Sequence, residues 1–281
     1  MITRLSVLGA GTMGHGIAYA AMAGGFDTRL YDVSPEALER ARVAIESVVR
    51  KAVEPGTVGA AEVPAVMARL HVSSELGSAV EGADFIIEAA PERIDLKIGL
   101  LAEVERRAPV NAVIATNTSA LSITEMGGAL KDPGRLAGMH FFNPVHKMKL
   151  VEIVRALASA PETIEAIDQV ARRMGKDTVL VREAPGFITS RVNAMIGNEA
   201  FHMLQEGVAS ARDIDKALKL GLNHPMGPFE LVDLVGLDTR LSVLQYLHRS
   251  LGEKYRPAPL LVQYVKAGRL GRKVGRGVYE Y

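Results

Sequence analysis

In the stretch GMHFFNPVHKMKLVEIV, residues 138–154, two short apolar runs are joined by a Pro-containing link. His140 closes the first run. Glu152 interrupts the second, in which Leu150, Val151, Ile153 and Val154 are all apolar. A carboxylate left unpaired in such a run costs on the order of several kcal/mol or takes up a proton. The economical arrangement is a bond between Glu152 and the imidazole of His140. That bond fixes the ring tautomer, leaves the other nitrogen facing outward and raises its basicity, which is the make-up of a general base. The alternative is a structural histidine held by a backbone contact, with Glu152 salt-bridged to Lys147 or Lys149. The sequence leaves both open.

What such a base would act beside is indicated at the other end of the chain. Ile2 to Leu8 is a short β-rich run that breaks at Gly9, and Gly9-Ala10-Gly11-Thr12-Met13-Gly14 then opens the helical segment Ile17 to Ala23. In a strand–turn–helix context the three glycines have separate tasks: a tight turn, close approach of backbone to a pyrophosphate, and close packing of helix on strand. The phosphates then lie at the positive helix N-terminus. Downstream, FDTRLYDVS is a second strand ending at Asp32, where a carboxylate accepts from a ribose 2′-hydroxyl and repels a 2′-phosphate. NAD is thereby favoured over NADP. The competing reading of Asp32 is an ordinary acid at a helix N-terminus. A histidine base beside NAD implies removal of the proton of a secondary alcohol as hydride leaves the same carbon, and the reverse.

These residues need a scaffold, and the alternation that follows predicts one. Residues 35–53 and 60–69 read as helices before RLHVS. ADFIIEAA is a buried-strand run containing Glu88, LKIGLLAEVERRA is helical, and AVIATNTS is a further strand. Such alternation predicts a mostly parallel sheet with helices on both faces and a ligand crevice at the carboxyl ends of the strands. Glu88, Glu92, Asn117, Ser119, His140 and Asn143 all fall at those ends. Each alone is equally suited to capping a turn or helix.

From Glu183 the pattern changes. Pro185 and Gly186 make a hinge-like break, and the remainder is helical, with GVYEY as the one candidate strand. Ile188, Val192, Met195, Ile196 and Met203 recur at helical spacing. Ser210 and Asp213 form a capping-box pattern before Ile214 and Leu218, with Gly221 at the helix end. Another helix follows Pro228, and Leu241, Leu244, Leu247 and Leu251 stripe a third. So many apolar positions in about a hundred residues predict that some pack against a second subunit, giving a homodimer. The domain expectation is residues 1–184 and 185–281.

Composition sets outer bounds. The 281 residues exceed what a single core usually spans. With 48% hydrophobic and 23% charged residues and a formal net charge of +1, the chain is ordinary globular protein with no electrostatic footprint for nucleic acid or an anionic membrane. Its basic residues are dispersed apart from Arg269, Arg272, Lys273 and Arg276. The lack of cysteine excludes a disulfide scaffold and any thiolate metal site and is compatible with a reducing compartment; no metal site is expected. No apolar run reaches the roughly 18 residues of a membrane span. MITRLSVLGAG runs straight into a strand, so a cytoplasmic location without a leader is the expectation.

Taken together, Gly9-x-Gly11-x-x-Gly14, Asp32, Asn117-Thr118-Ser119, His140-Phe141-Phe142-Asn143-Pro144, Val151-Glu152, Pro185-Gly186-Phe187, LGLNHPMGPFELVDLVGLDT and GRKVGRGVYEY resemble the 3-hydroxyacyl-CoA dehydrogenases, and among these the stand-alone 3-hydroxybutyryl-CoA dehydrogenases. The match keeps the same order from end to end. The resemblance implies a Rossmann-type NAD-binding domain and an all-α C-terminal domain for substrate and dimerisation, with an acyl-CoA lying between them. It implies oxidation of (S)-3-hydroxyacyl-CoA to 3-oxoacyl-CoA and the reverse, within fatty acid β-oxidation. By resemblance His140 is the catalytic base, Glu152 the acid paired with it, and Ser119 the serine that bonds the reacting oxygen close to the nicotinamide. Besides the glycine loop with Thr12 and Met13, and Asp32 and Asn117, the implied cofactor contacts are Glu92, Lys97, Asn143 and Lys273.

The chain departs from the family in one motif. PGFxxNR is the usual form, whereas PGFITSR puts Ser190 where an asparagine holds the substrate oxygen or thioester carbonyl. Ser190 is shorter but still a donor; a water, or Asn193 one turn later, are alternatives to direct contact. CoA contacts in the family map onto residues 44–56 only as candidates, namely Ser47, Arg50 and Lys51. Two other functions stay in view: a dehydrogenase of a CoA-free hydroxy acid, of sugar-acid or carnitine type, and a dinucleotide-binding structural protein without turnover.

Overall fold

The computed structural model describes residues 1–52 and 62–281. Residue 53 of the first expected helix, residues 60–61 of the second, and residues 53–56 of the candidate CoA stretch lie outside the described residues. Two compact units divide the chain, Met1–Ala184 and Pro185–Tyr281.

The first unit is built on eight strands: β1 (Arg4–Leu8), β2 (Asp27–Tyr31), β3 (Leu70–Ser73), β4 (Phe85–Glu88), β5 (Val113–Thr116), β6 (Leu136–Phe141), β7 (Leu150–Arg155) and β8 (Asp177–Arg182). Their order in the sheet is β3-β2-β1-β4-β5-β6-β7-β8. All neighbours are parallel except β6 and β7, which run antiparallel with His140 opposite Glu152. The central strands are covered on both faces, and every residue of β4 and β6 is buried. That is why they read as nearly continuous apolar runs rather than as alternating ones.

Helices α1 (Thr12–Ala23), α2 (Pro35–Lys51), α3 (Val63–Met67), α4 (Leu76–Val80), α5 (Ile94–Arg107), α6 (Ile123–Gly127) and α7 (Pro161–Arg173) cover that sheet. In α1 the small residues Gly14, Ala18 and Ala21 are buried with Ile17 and Met22 and let the helix lie close to the strands. Ser34 caps α2 by accepting the Ala37 N–H, and Leu38, Ala41, Ile45 and Val49 form its buried stripe at helical spacing. The sequence pattern assigns nothing between residues 155 and 183, where α7 and β8 complete the sheet. Ile164, Ile167, Val170 and Ala171 bury α7. The Arg173 guanidinium lies 3.9 Å above the Phe26 ring and donates to the carbonyls of Ile2, Gly24 and Gly25, which ties α7 to the turn after α1.

The second unit holds α8 (Thr189–Gln205), α9 (Ala211–Gly221), α10 (Pro228–Val235), α11 (Leu237–Leu251) and α12 (Pro259–Lys266). The Ser210 cap forms as expected, accepting the Asp213 N–H. Phe201 is the centre of the core, meeting Phe229 and Tyr264 edge-on at 5.2 and 5.9 Å. Leu237, Leu244, Leu247 and Leu261 belong to the same buried cluster. On α8 the packed side is Ala194, Gly197, Ala200 and Phe201. Of the stripe singled out in the sequence, Met195 and Met203 pack against this core, whereas Ile188 and Val192 are half exposed.

GVYEY is not a strand. Residues 271–280 make isolated bridges only, between Gly271 and Arg276 and between Arg276 and Glu280. The reason is a competing acceptor: the N–H groups of Val278 and Tyr279 donate to the buried Asp233 carboxylate at 2.8 and 2.9 Å, and the Tyr281 hydroxyl joins them. Those N–H groups are no longer available to a strand ladder.

One residue of this core is costly. Arg240 is 5% exposed, its Nε has no hydrogen-bond partner, and no carboxylate among the described residues pairs with it. Burial alone pushes its pKa down to about 10. A buried cation without a counter-charge opposes folding. Arg240→Met is expected to raise the thermal midpoint by several degrees, about 1 kcal/mol or more for a unit of this size. Differential scanning calorimetry of the two proteins checks this, and an unchanged or lower midpoint would show the guanidinium to be satisfied.

Candidate active site

The strand order reverses direction of growth between β1 and β4, and in open parallel sheets the crevice for a ligand opens beyond the carboxyl ends of the strands at that reversal. The glycine turn follows β1 directly. Gly9 sits at φ 110°, and a Cβ there would meet the Ala89 carbonyl oxygen at 2.6 Å, so the loops after β1 and β4 approach closely only because residue 9 lacks a side chain. Gly14 is pressed against Gly9 and has no room for a side chain. Gly11 differs, since a Cβ built on it meets nothing within 4 Å. The turn is closed underneath and open on top.

Helix α1 begins there with no side-chain cap and no acidic residue in its first turn. Its first-turn N–H groups, on residues that include Thr12 and Met13, have no intrahelical acceptor and carry the positive end of the helix dipole. A dinucleotide pyrophosphate fits this arrangement in charge, in donors and in space. Asp32 lies beside it. Its Oδ2 accepts the Ala10 N–H at 2.8 Å and its Oδ1 accepts the Ser34 N–H at 3.0 Å, which leaves further lone pairs for a ribose hydroxyl. A cleft of about 540 Å³ opens from Gly9 and Asp32 toward Val33, Leu76, Pro91 and Leu96, with mainly apolar walls suited to an adenine ring.

At the ends of β4 and β5 a polar network replaces the apolar interior. Glu88 is fully buried and accepts from Lys97 Nζ at 2.7 Å, Thr116 Oγ1 at 2.5 Å and the Ala90 N–H at 2.7 Å. Lys97 is itself 1% exposed and also donates to the Ala90 carbonyl. Glu92 Oε1 gathers Thr118 Oγ1, the N–H and Oγ of half-buried Ser119, and the Ala120 N–H within 2.7–3.3 Å. Asn117 Oδ1 accepts the Phe141 N–H at 2.9 Å and so braces the end of β6, one residue from His140.

His140 and Glu152 meet as cross-strand neighbours, Nδ1 to Oε2 at 2.7 Å, with the histidine 6% exposed and the glutamate fully buried. The Phe142 ring lies 4.6 Å from the imidazole, tilted by 52°. Neither Lys147 nor Lys149 is needed to explain Glu152. Asn143 follows on the exposed side of the turn. The first unit therefore gathers the glycine loop, Asp32, Glu92, Lys97, Asn117, Ser119, His140, Asn143 and Glu152 along one edge of one sheet.

Ser190 and Lys273 belong to the second unit. Ser190 is in the first turn of α8, with Asn193 three residues on. Lys273 Nζ binds both carboxylate oxygens of Asp238 at 2.6 and 2.7 Å. Burial works to raise the Asp238 pKa, but the bond from Lys273 and two backbone N–H groups outweigh it and hold the carboxyl below its ordinary value. Ser47, Arg50 and Lys51 share an exposed face of α2 with Val43 and Glu46, and Arg50 is paired with Glu46. Among the described residues no group of three or more His, Asp or Glu side chains is arranged to hold a metal, and no helix is long and apolar enough to cross a membrane.

The sequence reading marked Glu88 and Lys97 separately and missed that they form one buried pair with Thr116. The signal was present: Glu88 ends the apolar run Phe85-Ile86-Ile87 just as Glu152 interrupts another, and the same demand for a partner applies.

A sheet that reverses at a glycine turn, with a carboxylate beside the turn and a histidine–glutamate pair at the same edge, defines a dinucleotide-dependent dehydrogenase as a class. Within that class the chain belongs to the 3-hydroxyacyl-CoA dehydrogenase family, whose NAD binding domain matches residues 4–184 and whose C-terminal domain matches residues 186–281. It is 46% identical over its whole length to a probable 3-hydroxybutyryl-CoA dehydrogenase of Bacillus subtilis, covering 98% of that protein, and 40% identical to a 3-hydroxybutyryl-CoA dehydrogenase of Bradyrhizobium diazoefficiens, covering 96%. Among solved structures it resembles the (S)-3-hydroxybutyryl-CoA dehydrogenase of Ralstonia eutropha at a TM-score of 0.96 and 39% identity, over 100% of this chain and 99% of that one. The chain is an NAD-dependent oxidoreductase of 3-hydroxyacyl-CoA.

Asp32 offers a direct check on cofactor choice. Asp32→Ala is expected to narrow the NAD over NADP ratio of kcat/KM by about tenfold or more, since one repelled charge is removed. NAD affinity should fall as well, because the same carboxylate holds Ala10. Steady-state kinetics with both cofactors measure the ratio, and an unchanged value would remove Asp32 from cofactor selection.

Proposed function

We propose that the chain interconverts (S)-3-hydroxybutyryl-CoA and acetoacetyl-CoA, with His140 as general acid and base. The observation that carries this reading is the 2.7 Å bond from His140 Nδ1 to the buried Glu152. Glu152 accepts the Nδ1 proton, so the neutral ring bears its lone pair on Nε2, and the carboxylate stabilises the imidazolium formed when Nε2 takes the substrate hydroxyl proton. Bound NAD supplies the hydride acceptor. As the C3–H bond breaks and C3–O becomes a carbonyl, the proton goes to His140. In reduction His140 returns it to the oxygen.

Ser119 supports the same oxygen from the loop after β5, donating its Oγ proton once a substrate is present. Ser190 serves as a second donor from the start of α8. The glycine loop with Thr12 and Met13 holds the pyrophosphate, Asp32 the adenosine ribose, and Glu92, Lys97, Asn117, Asn143 and Lys273 complete the cofactor contacts. The four-carbon substrate is supported by the names of the relatives at 46% and 40% identity. We further propose a cytoplasmic homodimer joined through the C-terminal helices. Ile188, Val192, Leu220 and Leu222 in that unit are apolar and half or more exposed, and a second copy would cover them. Sedimentation at micromolar concentration is expected to give a dimer; a stable monomer would remove the subunit interface.

The primary test compares NADH consumption with acetoacetyl-CoA and with free acetoacetate. Saturable turnover with the thioester alone is expected. Comparable turnover of the free acid would make this a dehydrogenase of CoA-free substrates. His140→Gln should lower kcat by about 10²–10⁴-fold while NADH affinity, measured by fluorescence, is retained. Loss of both together would mark His140 as structural.

A further inference from the structure

We propose that Glu88 and Lys97 are positioning residues for Ser119 that act through Glu92, and that Lys97 serves the reaction from inside the protein. The inference rests on the reading of Ser119 as donor to the reacting oxygen. An ammonium has three protons to donate. Lys97 directs two of them at Glu88 Oε1 at 2.7 Å and the Ala90 carbonyl at 3.0 Å, and it forms a longer ion pair with Glu92 Oε2 at 3.5 Å.

Glu92 is the link outward. Its Oε2 faces Lys97, and its Oε1 receives Ser119 N–H at 2.8 Å and Ser119 Oγ at 3.1 Å together with Thr118 and Ala120. The side chain is 40% exposed, so its orientation is set by the cation on one side and the turn on the other, and not by packing all round. One cation is shared between two carboxylates, and the stronger claim of Glu88 keeps the Glu92 contact long. Without the Glu88 charge the ammonium is drawn to Glu92, Oε2 moves inward, and Oε1 turns away from Ser119.

A second route joins the same points. Thr116 Oγ1 donates to Glu88 Oε2 at 2.5 Å and accepts the Thr118 N–H at 3.3 Å, so Glu88 reaches the turn carrying Ser119 through β5 as well. Buried ion pairs contribute little net stability compared with apolar residues of similar volume, but they hold a definite geometry. Here the geometry held is that of a serine with a role in proton and oxygen positioning.

The experiment is a double-mutant cycle on the full-length enzyme, with Glu88→Gln and, as a variant that keeps both charges, Thr116→Val, each alone and combined with Ser119→Ala. Glu88→Gln is expected to lower kcat by about tenfold through a sub-ångström displacement of the serine, with a smaller loss of NADH affinity because Glu92 shifts with it. Thr116→Val should have a smaller effect of the same kind. In the Ser119→Ala background neither should cause a further loss. Losses that multiply with that of Ser119→Ala, or a weakened NADH affinity at unchanged kcat, would overturn the positioning role while leaving the serine reading intact. A Ser119→Ala enzyme with the parent kcat would overturn both. Should Glu88→Gln fail to fold, Thr116→Val decides by the same criteria.

Discussion

The reversal of strand direction between β6 and β7 is the constraint on which the proposed chemistry depends. In an antiparallel pair, directly opposed residues project to the same face with Cβ atoms about 5 Å apart, close enough for an imidazole and a carboxylate to bond without distortion. A slip of one residue would send Glu152 to the opposite face. Register is therefore fixed from several sides. Gly138 opposes Val154 so tightly that a Cβ on it would meet the valine side chain at 2.7 Å and Ile123 at 2.6 Å. Asn117 holds the Phe141 N–H. Below the connection, the buried Lys176 ammonium donates to the Val145 and Met148 carbonyls, at the cost of a pKa lowered by burial.

Buried carboxylates recur as the organisers of irregular backbone in both units. Glu88 gathers the loops after β4 and β5. Asp233 gathers the C-terminal segment, and Asp215 accepts the Phe229 and Glu230 N–H groups and the Tyr279 hydroxyl. Burial raises the Asp215 pKa despite those three bonds, so desolvation outweighs them. An anion with several lone pairs can satisfy N–H groups that no helix or strand will take, and it does so with stronger bonds than a neutral acceptor. Loops of defined shape follow from this, and the side chains they carry are held in place.

Much of this was legible in the sequence because it follows from period and composition. The glycine turn, the succession of strands and helices to β5, and the demand that Glu152 find a partner are all local or nearly local signals. The rule that a buried charge must be answered pointed to His140 as the partner of Glu152 but left Lys147 and Lys149 as alternatives, and only the bond itself decides between them. What was not legible depended on distant acceptors. GVYEY has the composition of a strand, and only Asp233, more than forty residues earlier, takes the N–H groups that would have made it one. The apolar stripe from Ile188 to Met203 has helical spacing, but spacing does not say how far along it the core reaches: Met195 and Met203 pack on the cluster around Phe201, whereas Ile188 and Val192 are half exposed. Lys97 entered only through the resemblance, as a cofactor contact, and its burial against Glu88, nine residues away, was not legible.

The side chains expected to touch the ligand are also those that hold the backbone around it. Asp32 binds the Ala10 N–H of the glycine turn, Glu92 binds the Ser119 turn, and Asn117 braces β6. Preorganisation of this kind lowers the ordering that binding would otherwise require, because the polar groups are already held before the ligand arrives. It also couples recognition to architecture. A change of cofactor preference at Asp32 must replace a backbone acceptor as well as remove a charge, so a neutral side chain that retains a carbonyl oxygen at that point is a better starting substitution than one that merely deletes the carboxylate.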